Sequence, residues 1–483
     1  MSSETGVENK TIPIGTLAGN STSSVSRKLL RRYVYRLAWP VFIEMLLQMA
    51  VGVVDIAMVG RIGPSAIAAV GFANSLLMFV IAVFAAISVG TTALVARHIG
   101  AGELERAHEI ARQSLILSLL LSFGITLLGV IFPVQGIRLM MAMQAVPDQE
   151  VLDQGALFVR IVSLTMIPGL VMQIVNGVLR GAGDTKTPMR VNVIVNIVNI
   201  AGCLILVGGI QPFTLSEMYF TGISSLGVLG AAVSTALARA LGGILSVWVL
   251  FRGNFIIHLS LRDSYRFNFP EMKRILNIGI PAAIEQVIMR GGQLLYGVIV
   301  GGLGTVAYAA HNVTMTAESL SFLPGFAFAV AATTMVGQAL GAEDPKLAEE
   351  SGKIATKVAI GLMSVMGVVF FFFAPALVSL FSSDPEVISL GAECLKIVAI
   401  SQPPLALVMV LSGALRGAGD TKTVLYITGA GIWLVRVIFA YVFTTVFNWG
   451  LVGAWYAMII DLFVRSILYY WRFRQGKWKN IRV

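Results

Sequence analysis

The sequence predicts an all-α polytopic membrane protein. Twelve transmembrane helices are expected, as two parallel six-helix repeats forming an N-lobe and a C-lobe around a central cleft. Three observations predict this. Of the 483 residues, 57% are hydrophobic and only 12% charged, about half the charged share of roughly 25% usual in soluble proteins. The basic residues gather on one side of the apolar runs. And the nonapeptide LRGAGDTKT occurs twice, at Leu179–Thr187 and Leu415–Thr423, with all nine residues matching.

The chain opens with a Ser/Thr/Gly-rich stretch that has no apolar core, so residues 1–32 are expected to form a disordered cytoplasmic tail ending in RKLLRR. Crossing a hydrocarbon layer of about 30 Å takes roughly 20 apolar helical residues. Six such runs follow, at 34–59, 70–95, 114–134, 155–178, 190–210 and 227–250. The joint between the fifth and sixth, GGIQPFTLSEMYFTGISSLG, is the least clean, because it is partly polar. These six make the N-lobe, 33–251, and a basic cytoplasmic linker is expected at 252–274. Six more runs, at 275–301, 309–337, 354–374, 391–413, 424–446 and 451–471, make the C-lobe at 275–472, before a basic tail at 473–483. The first run is too long and too deep in the chain for a signal peptide.

Lys and Arg orient the chain. The two ends and the loops after even-numbered runs hold 27 of the 35; the opposite loops hold only Arg61 and Arg138; six lie within runs. The positive-inside rule then puts both termini in the cytoplasm, in a multi-pass plasma (inner) membrane protein. The net charge of +10 is thereby explained as a topology signal beside anionic headgroups, with no nucleic acid partner.

The nonapeptide belongs to a longer repeat. At an offset of 241, Pro40, Glu44 and Gly100 fall on Pro281, Glu285 and Gly341. After a five-residue deletion the offset is 236, and Asp148, Pro168 and the nonapeptide fall on Asp384, Pro404 and the second copy. Six spans per half is an even number, so both halves enter the membrane alike, related by an axis along its normal. Such paired bundles suit alternating access by rocking. Each nonapeptide is expected to be a turn at the cytoplasmic surface. Its Arg reaches the headgroups, its glycines allow positive φ, and its Asp or Thr caps the next helix.

Two six-span halves, the doubled LRGAGDTKT, and WPVFIEMLLQMAVGVVDIAMVG in the first span resemble the multidrug and toxin extrusion (MATE) family over about residues 33–472, most like its bacterial NorM-like branch. The resemblance implies a cation-coupled antiporter, driven by H+ or Na+. It would export organic, often cationic or amphipathic, drugs. It also implies that Asp55, fifteen residues after Pro40, is the coupling aspartate, with Asn199 as a ligand and Asn196 one turn before it. A transported Na+ near Asp55 is the one metal expected. Three positions depart from the pattern: Cys203 stands where some relatives carry an aspartate, and Met289-Arg290 and Leu405 where sodium-coupled relatives carry acids.

Charges at mid-membrane are costly and usually have a use. Asp55 has Tyr296 as its repeat partner, so duplication does not explain it. Glu44 and Glu285, each one turn past its proline, read in two ways: as acids lining the cleft, or as hydrogen-bonding groups that lock their helices to a neighbour. His311 and Glu318 are seven apart and share a helix face, fitting either a proton relay or packing. Tyr296 joins them as a candidate cleft residue. Pro40 is the candidate hinge, since a bend there would move Asp55. The 20 Met and 26 Phe suit an adaptable substrate surface. A lipid-linked-sugar flippase of similar two-lobe architecture is the alternative; its cleft should be strongly cationic. A channel lacks a filter sequence here, and an intramembrane enzyme lacks a nucleophile–base or metal spacing. No cofactor, ATP site or structural metal is expected, and a monomer is.

Overall fold

Long apolar runs, most of them ended by Gly or opened by Pro or Asp, fold as the helices they predict. The structure, a computed structural model, describes residues 27–142, 148–208, 213–215, 218–220, 226–252, 256–260, 262–481 and 483. Most of the expected N-terminal tail, residues 1–26, lies outside the described residues, as do 253–255 and 261 of the expected linker and 482 of the C-terminal tail. In the first half, α1 is Arg27–Gly60, α2 Pro64–Gly100, α3 Leu104–Ile131, α4 Pro133–Ala142, α5 Gln149–Leu164, α6 Met166–Gly181, α7 Lys186–Gly208 and α8 Gly227–Phe251. In the second, α9 is Phe269–Gly301, α10 Thr305–Gly341, α11 Pro345–Ser379, α12 Pro385–Ile400, α13 Gln402–Gly417, α14 Thr421–Val446 and α15 Gly450–Gln475.

Among the described residues, nine helices are long and apolar enough to cross a bilayer. Two bent pairs, α5 with α6 and α12 with α13, bring the number to eleven. The twelfth span is α9, which is 33 residues long and carries Glu285, Gln286, Arg290 and Gln293 along its apolar run. The all-α class has one small exception. The partly polar joint between α7 and α8 holds an antiparallel hairpin, β1 (Phe213–Leu215) on β2 (Met218–Phe220), with Thr214 opposite Tyr219.

The repeat is visible in fine detail. Asp148 and Asp384, 236 apart, cap α5 and α12 in the same way, each accepting from the backbone N–H two and three residues on. The bent pairs break at Thr165 and Ser401 with angles of 57° and 56°. Pro168 and Pro404 stand in the first turn after each break, where a missing N–H costs least. α1, by contrast, is one continuous helix through Pro40.

Four apolar clusters form the core, and their membership decides the shape of the molecule. At the end that carries both nonapeptides, each half's first helix is buried in the other half. Leu30, Val34, Leu37 and Val41 of α1 pack among α10, α11, α13 and α15. Met272, Ile275 and Ile278 of α9 pack among α2, α3, α6, α7 and α8. At the opposite end the clusters do not mix. Met58 and Val59 join residues of the first half only, and Tyr296 and Val300 join the second half only. The halves are therefore sealed together at the nonapeptide end and packed separately at the other.

Candidate functional site

A polar seam runs between α1 and α7 in the first half. The two helices leave the nonapeptide end in the same direction, and equal spacing on both sets the pairs: Glu44 to Asp55 is eleven residues, and so is Asn192 to Cys203. At about 1.5 Å per residue the two levels are roughly 16 Å apart. At the inner level Asn192 Nδ2 donates to Glu44 Oε1 at 3.0 Å. At the outer level the Cys203 thiol lies beside the half-buried Asp55 carboxyl, with the Arg239 guanidinium of α8 as an opposite charge near it. Asn196 and Asn199 lie between, 8% and 6% exposed. Asn199 Nδ2 reaches Thr235 Oγ1 at 3.4 Å. Among the described residues, Asn196 Nδ2 and Asn199 Oδ1 have no hydrogen-bond partner. Unpaired amide groups at this depth are costly, which marks the seam as built for something other than stability.

The second half has no such seam. At the 236 offset, Asn192, Asn196, Asn199 and Cys203 become Thr428, Ile432, Val435 and Phe439. Only Thr428 stays polar, donating to Glu285 Oε1 at 3.1 Å. α14 also loosens there into wide turns at Gly431–Val437 and Val442–Val446, the kind of local unwinding often found at functional sites.

Glu44 and Glu285 are brought to equivalent places and hold equivalent partners. Arg180 Nη2 donates to both Glu44 oxygens, at 2.7 and 2.8 Å, and Arg416 Nη2 donates to Glu285 Oε1 at 2.7 Å. Glu44 and Glu285 are 2% and 3% exposed. These arginines are the second residue of each nonapeptide. The headgroup role expected for them is thus corrected: both turn inward, because each faces a buried acid duplicated with it. The turn itself is as expected. Gly183 and Gly419 take φ of 88° and 85°, and Asp184 Oδ1 caps α7 by accepting from Lys186 N and Thr187 N. In the second copy Asp420 instead binds Thr423 Oγ1 and Arg472 Nε.

Tyr296, His311 and Glu318 do come together, with an addition that the sequence did not signal. The His311 ring stands 5.6 Å from Tyr296 and 5.5 Å from Trp455. Tyr296 Oη, His311 Nδ1, Glu318 Oε2 and Trp455 Nε1 are all buried without a hydrogen-bond partner among the described residues. Pro40 is buried in α1 at the level where that helix leaves the second half's core.

Between the halves, mostly against the second, lies a cavity of about 500 Å3, within the range of small-molecule sites. Met289, Met315, Met409 and Phe322 supply an apolar wall. Five arginines line it, Arg180, Arg290, Arg416, Arg436 and Arg465, against the glutamates Glu285 and Glu318. Asp461, fully buried, sits between Arg436 and Arg465 and accepts from both, at 2.8 and 2.6 Å. The expectation of a cleft that draws in cations meets a lining of the opposite balance. Sequence scanning found these charges singly; only packing shows that three of the embedded arginines converge with two from the nonapeptides.

Twelve spans in two repeats, a cleft closed at one end, and an acid, Asp55, with no acidic counterpart in the other half define a transporter architecture. A sequence model of the MatE family matches residues 40–205 and 281–442, one block in each half. The chain belongs to the MatE family. It is 32% identical over 454 residues to "Probable multidrug resistance protein NorM" of Thermotoga maritima, covering 93% of this chain and 94% of that one. "Uncharacterized transporter YisQ" of Bacillus subtilis is 28% identical over 92% of this chain and 94% of its own. Among solved structures, "Outward-facing conformation of a multidrug resistance MATE family transporter of the MOP superfamily" superposes with a TM-score of 0.82 at 26% identity, covering 95% of this chain and 100% of that one. A MOP superfamily transporter from Pyrococcus furiosus, described as having a binding pocket of reverse polarity, gives 0.82 at 26%, covering 94% and 98%. The MatE chain is thus a multi-pass membrane protein of a family of multidrug efflux transporters, which move small substrates rather than convert them.

Proposed function

We propose that the protein is a cation-coupled antiporter, driven by H+ or Na+, that exports amphipathic organic compounds by alternating access. Its nonapeptide end and both termini face the cytoplasm in this reading, and it works as a monomer in the plasma membrane. The structure then stands outward-facing: sealed by the exchanged ends of α1 and α9 at the cytoplasm, with separately packed halves outside.

The observation that carries the reading is the polar seam of α1 and α7, present in one half and lost from its duplicate. Packing alone predicts the same residues in both copies; a coupling ion needs only one site. Asp55 is the ion-binding carboxylate, Asn199 and Asn196 supply neutral oxygens, and Glu44 anchors the inner end through Arg180. His311, Glu318 and Tyr296 form a second proton-accepting cluster beside the cavity, and Glu285 holds α9 to Arg416. Pro40, in α1 between Asp55 and the cytoplasmic seal, is the hinge through which ion binding bends the helix.

Transport in proteoliposomes, with sodium and proton gradients imposed separately, tests this. Export is expected with one of the two. Export driven by neither removes the antiporter reading, and full coupling in Asp55→Asn removes Asp55. The arginine-rich lining favours one second reading, a flippase for lipid-linked sugars; transbilayer movement of such a lipid in the absence of any gradient would establish it.

A further inference from the structure

The geometry points to an anion subsite in the cavity: the substrate is an amphipathic molecule that carries a carboxylate, sulfonate or phosphate beside an apolar, aromatic body. This deepens the transport reading above, on which it rests, and names the substrate class.

Charge counting comes first. Five guanidinium groups line the cavity. Three carboxylates pair with them: Glu44 with Arg180, Glu285 with Arg416, and Asp461 with both Arg436 and Arg465. That leaves two positive charges before Glu318 is counted and one after. Glu318 is 1% exposed and forms no salt bridge among the described residues. An excess of positive charge along the wall of a cavity draws anions into it. The excess has a definite position. Asp461 saturates its two oxygens on two arginines, through Arg436 Nε and Nη2 and Arg465 Nε and Nη2, so the Nη1 group of each remains without an acid. Arg290 of α9, exposed within the cavity lining, has no carboxylate partner among the described residues. Guanidinium groups present planar paired donors, which suit carboxylate and phosphate oxygens.

The rest of the wall selects the body of the ligand. Met289 adjoins Arg290 in the chain, and Met315, Met409, Met458, Phe322 and Phe326 complete an apolar surface. Methionine side chains repack around varied flat shapes. A space of about 500 Å3 holds a drug-sized molecule, with its anionic group on the arginines and its rings on methionine and phenylalanine.

Two dyes of one shape and opposite charge test this. Fluorescein and rhodamine 6G share the xanthene ring; the first is anionic and the second cationic. Binding to the purified full chain in detergent, read by fluorescence anisotropy against empty micelles, needs no gradient, so it stands or falls apart from the coupling assay. Fluorescein is expected to bind at least about tenfold more tightly than rhodamine 6G. Arg290→Gln is expected to weaken fluorescein about fivefold or more and leave rhodamine 6G unchanged, with Arg290→Lys restoring part of the loss. Because Arg290 pairs with no acid, its loss leaves no buried charge unpartnered and the variant keeps its fold. Tighter binding of rhodamine 6G, or fluorescein binding indifferent to Arg290→Gln, overturns the proposal. Inorganic pyrophosphate displacing fluorescein at equal concentration overturns the amphipathic part, since the apolar wall would then contribute nothing.

Discussion

Gly100 and Gly341 close the nonapeptide end, and alanine at either should force it open. They occupy equivalent places in the two halves, at the last residues of α2 and α10, where the helices cross. A Cβ on Gly100 would stand 2.6 Å from the carbonyl carbon of Gln338 and 2.7 Å from its Cα. A Cβ on Gly341 would stand 2.8 Å from the carbonyl carbon of Arg97 and 3.0 Å from Ala101 N. Carbon atoms rest about 3.5–4.0 Å apart, and the obstructing atoms are backbone, so no rotamer change relieves the clash. The helices must separate by roughly 1 Å, at an overpacking cost of about 1–3 kcal/mol per site. Alanine also favours a helix over glycine by about 0.5–1 kcal/mol, a gain common to every state. Only the steric term distinguishes the states, and it falls on the closed one alone. A differential of 1–3 kcal/mol shifts the balance about 5- to 150-fold. Gly124→Ala, at a helix position with nothing within 4 Å of the new Cβ, isolates the helix gain. The assay is thiol labelling of single cysteines placed near the crossing in a background lacking Cys203 and Cys394. The expected result is faster labelling and slowed export in Gly100→Ala and Gly341→Ala, not in Gly124→Ala. Unchanged labelling in both glycine variants would refute the idea that this crossing is the seal.

Other outcomes follow from single contacts. Glu44→Gln leaves Arg180 buried without its acid and is expected to destabilise the first half by about 3–5 kcal/mol, read as a lower thermal midpoint; Glu44→Gln with Arg180→Gln should recover much of the loss. Trp478 is fully buried, stacks on Phe473 at 4.8 Å and donates from Nε1 to Phe473 O, so Trp478→Ala should cost about 3–5 kcal/mol in the same measurement. Cys203→Asp places a second carboxylate beside Asp55; export in proteoliposomes should become more sensitive to sodium, and an unchanged sodium response would argue against ion binding at this level. Pro40→Ala should leave expression intact and slow export; full export would remove Pro40 as a hinge.

Much of the fold was legible because a bilayer imposes it. Twelve helical runs, their repeat, and the turn chemistry of the nonapeptide follow from span length, charge placement and local φ requirements, all of which are properties of short stretches. The match of Asp148 to Asp384 within the repeat, and Gly183 and Gly419 as positive-φ turns, were readable for the same reason; that both aspartates cap a helix is what the structure adds. Asp55 and Asn199 could be named from a motif, and the α1–α7 register then followed from counting eleven residues on each. What no stretch of sequence states is which helices touch. Arg180 and Arg416 look like headgroup anchors until α1 and α9 are packed beside them, although the duplication of both acid and arginine was a signal that they pair. Arg290 lies 146 and 175 residues before Arg436 and Arg465, which are themselves 29 apart, and their convergence around one cavity is set by the packing of three helices. The exchange of α1 and α9 between the halves has the same origin. Local sequence determined the helices, their order and the aspartate, Asp55, that the second half replaces with Tyr296. Tertiary packing alone decided the sealed end, the seam and the sign of the charge in the cavity, because those depend on contacts between segments that share no neighbourhood in the chain.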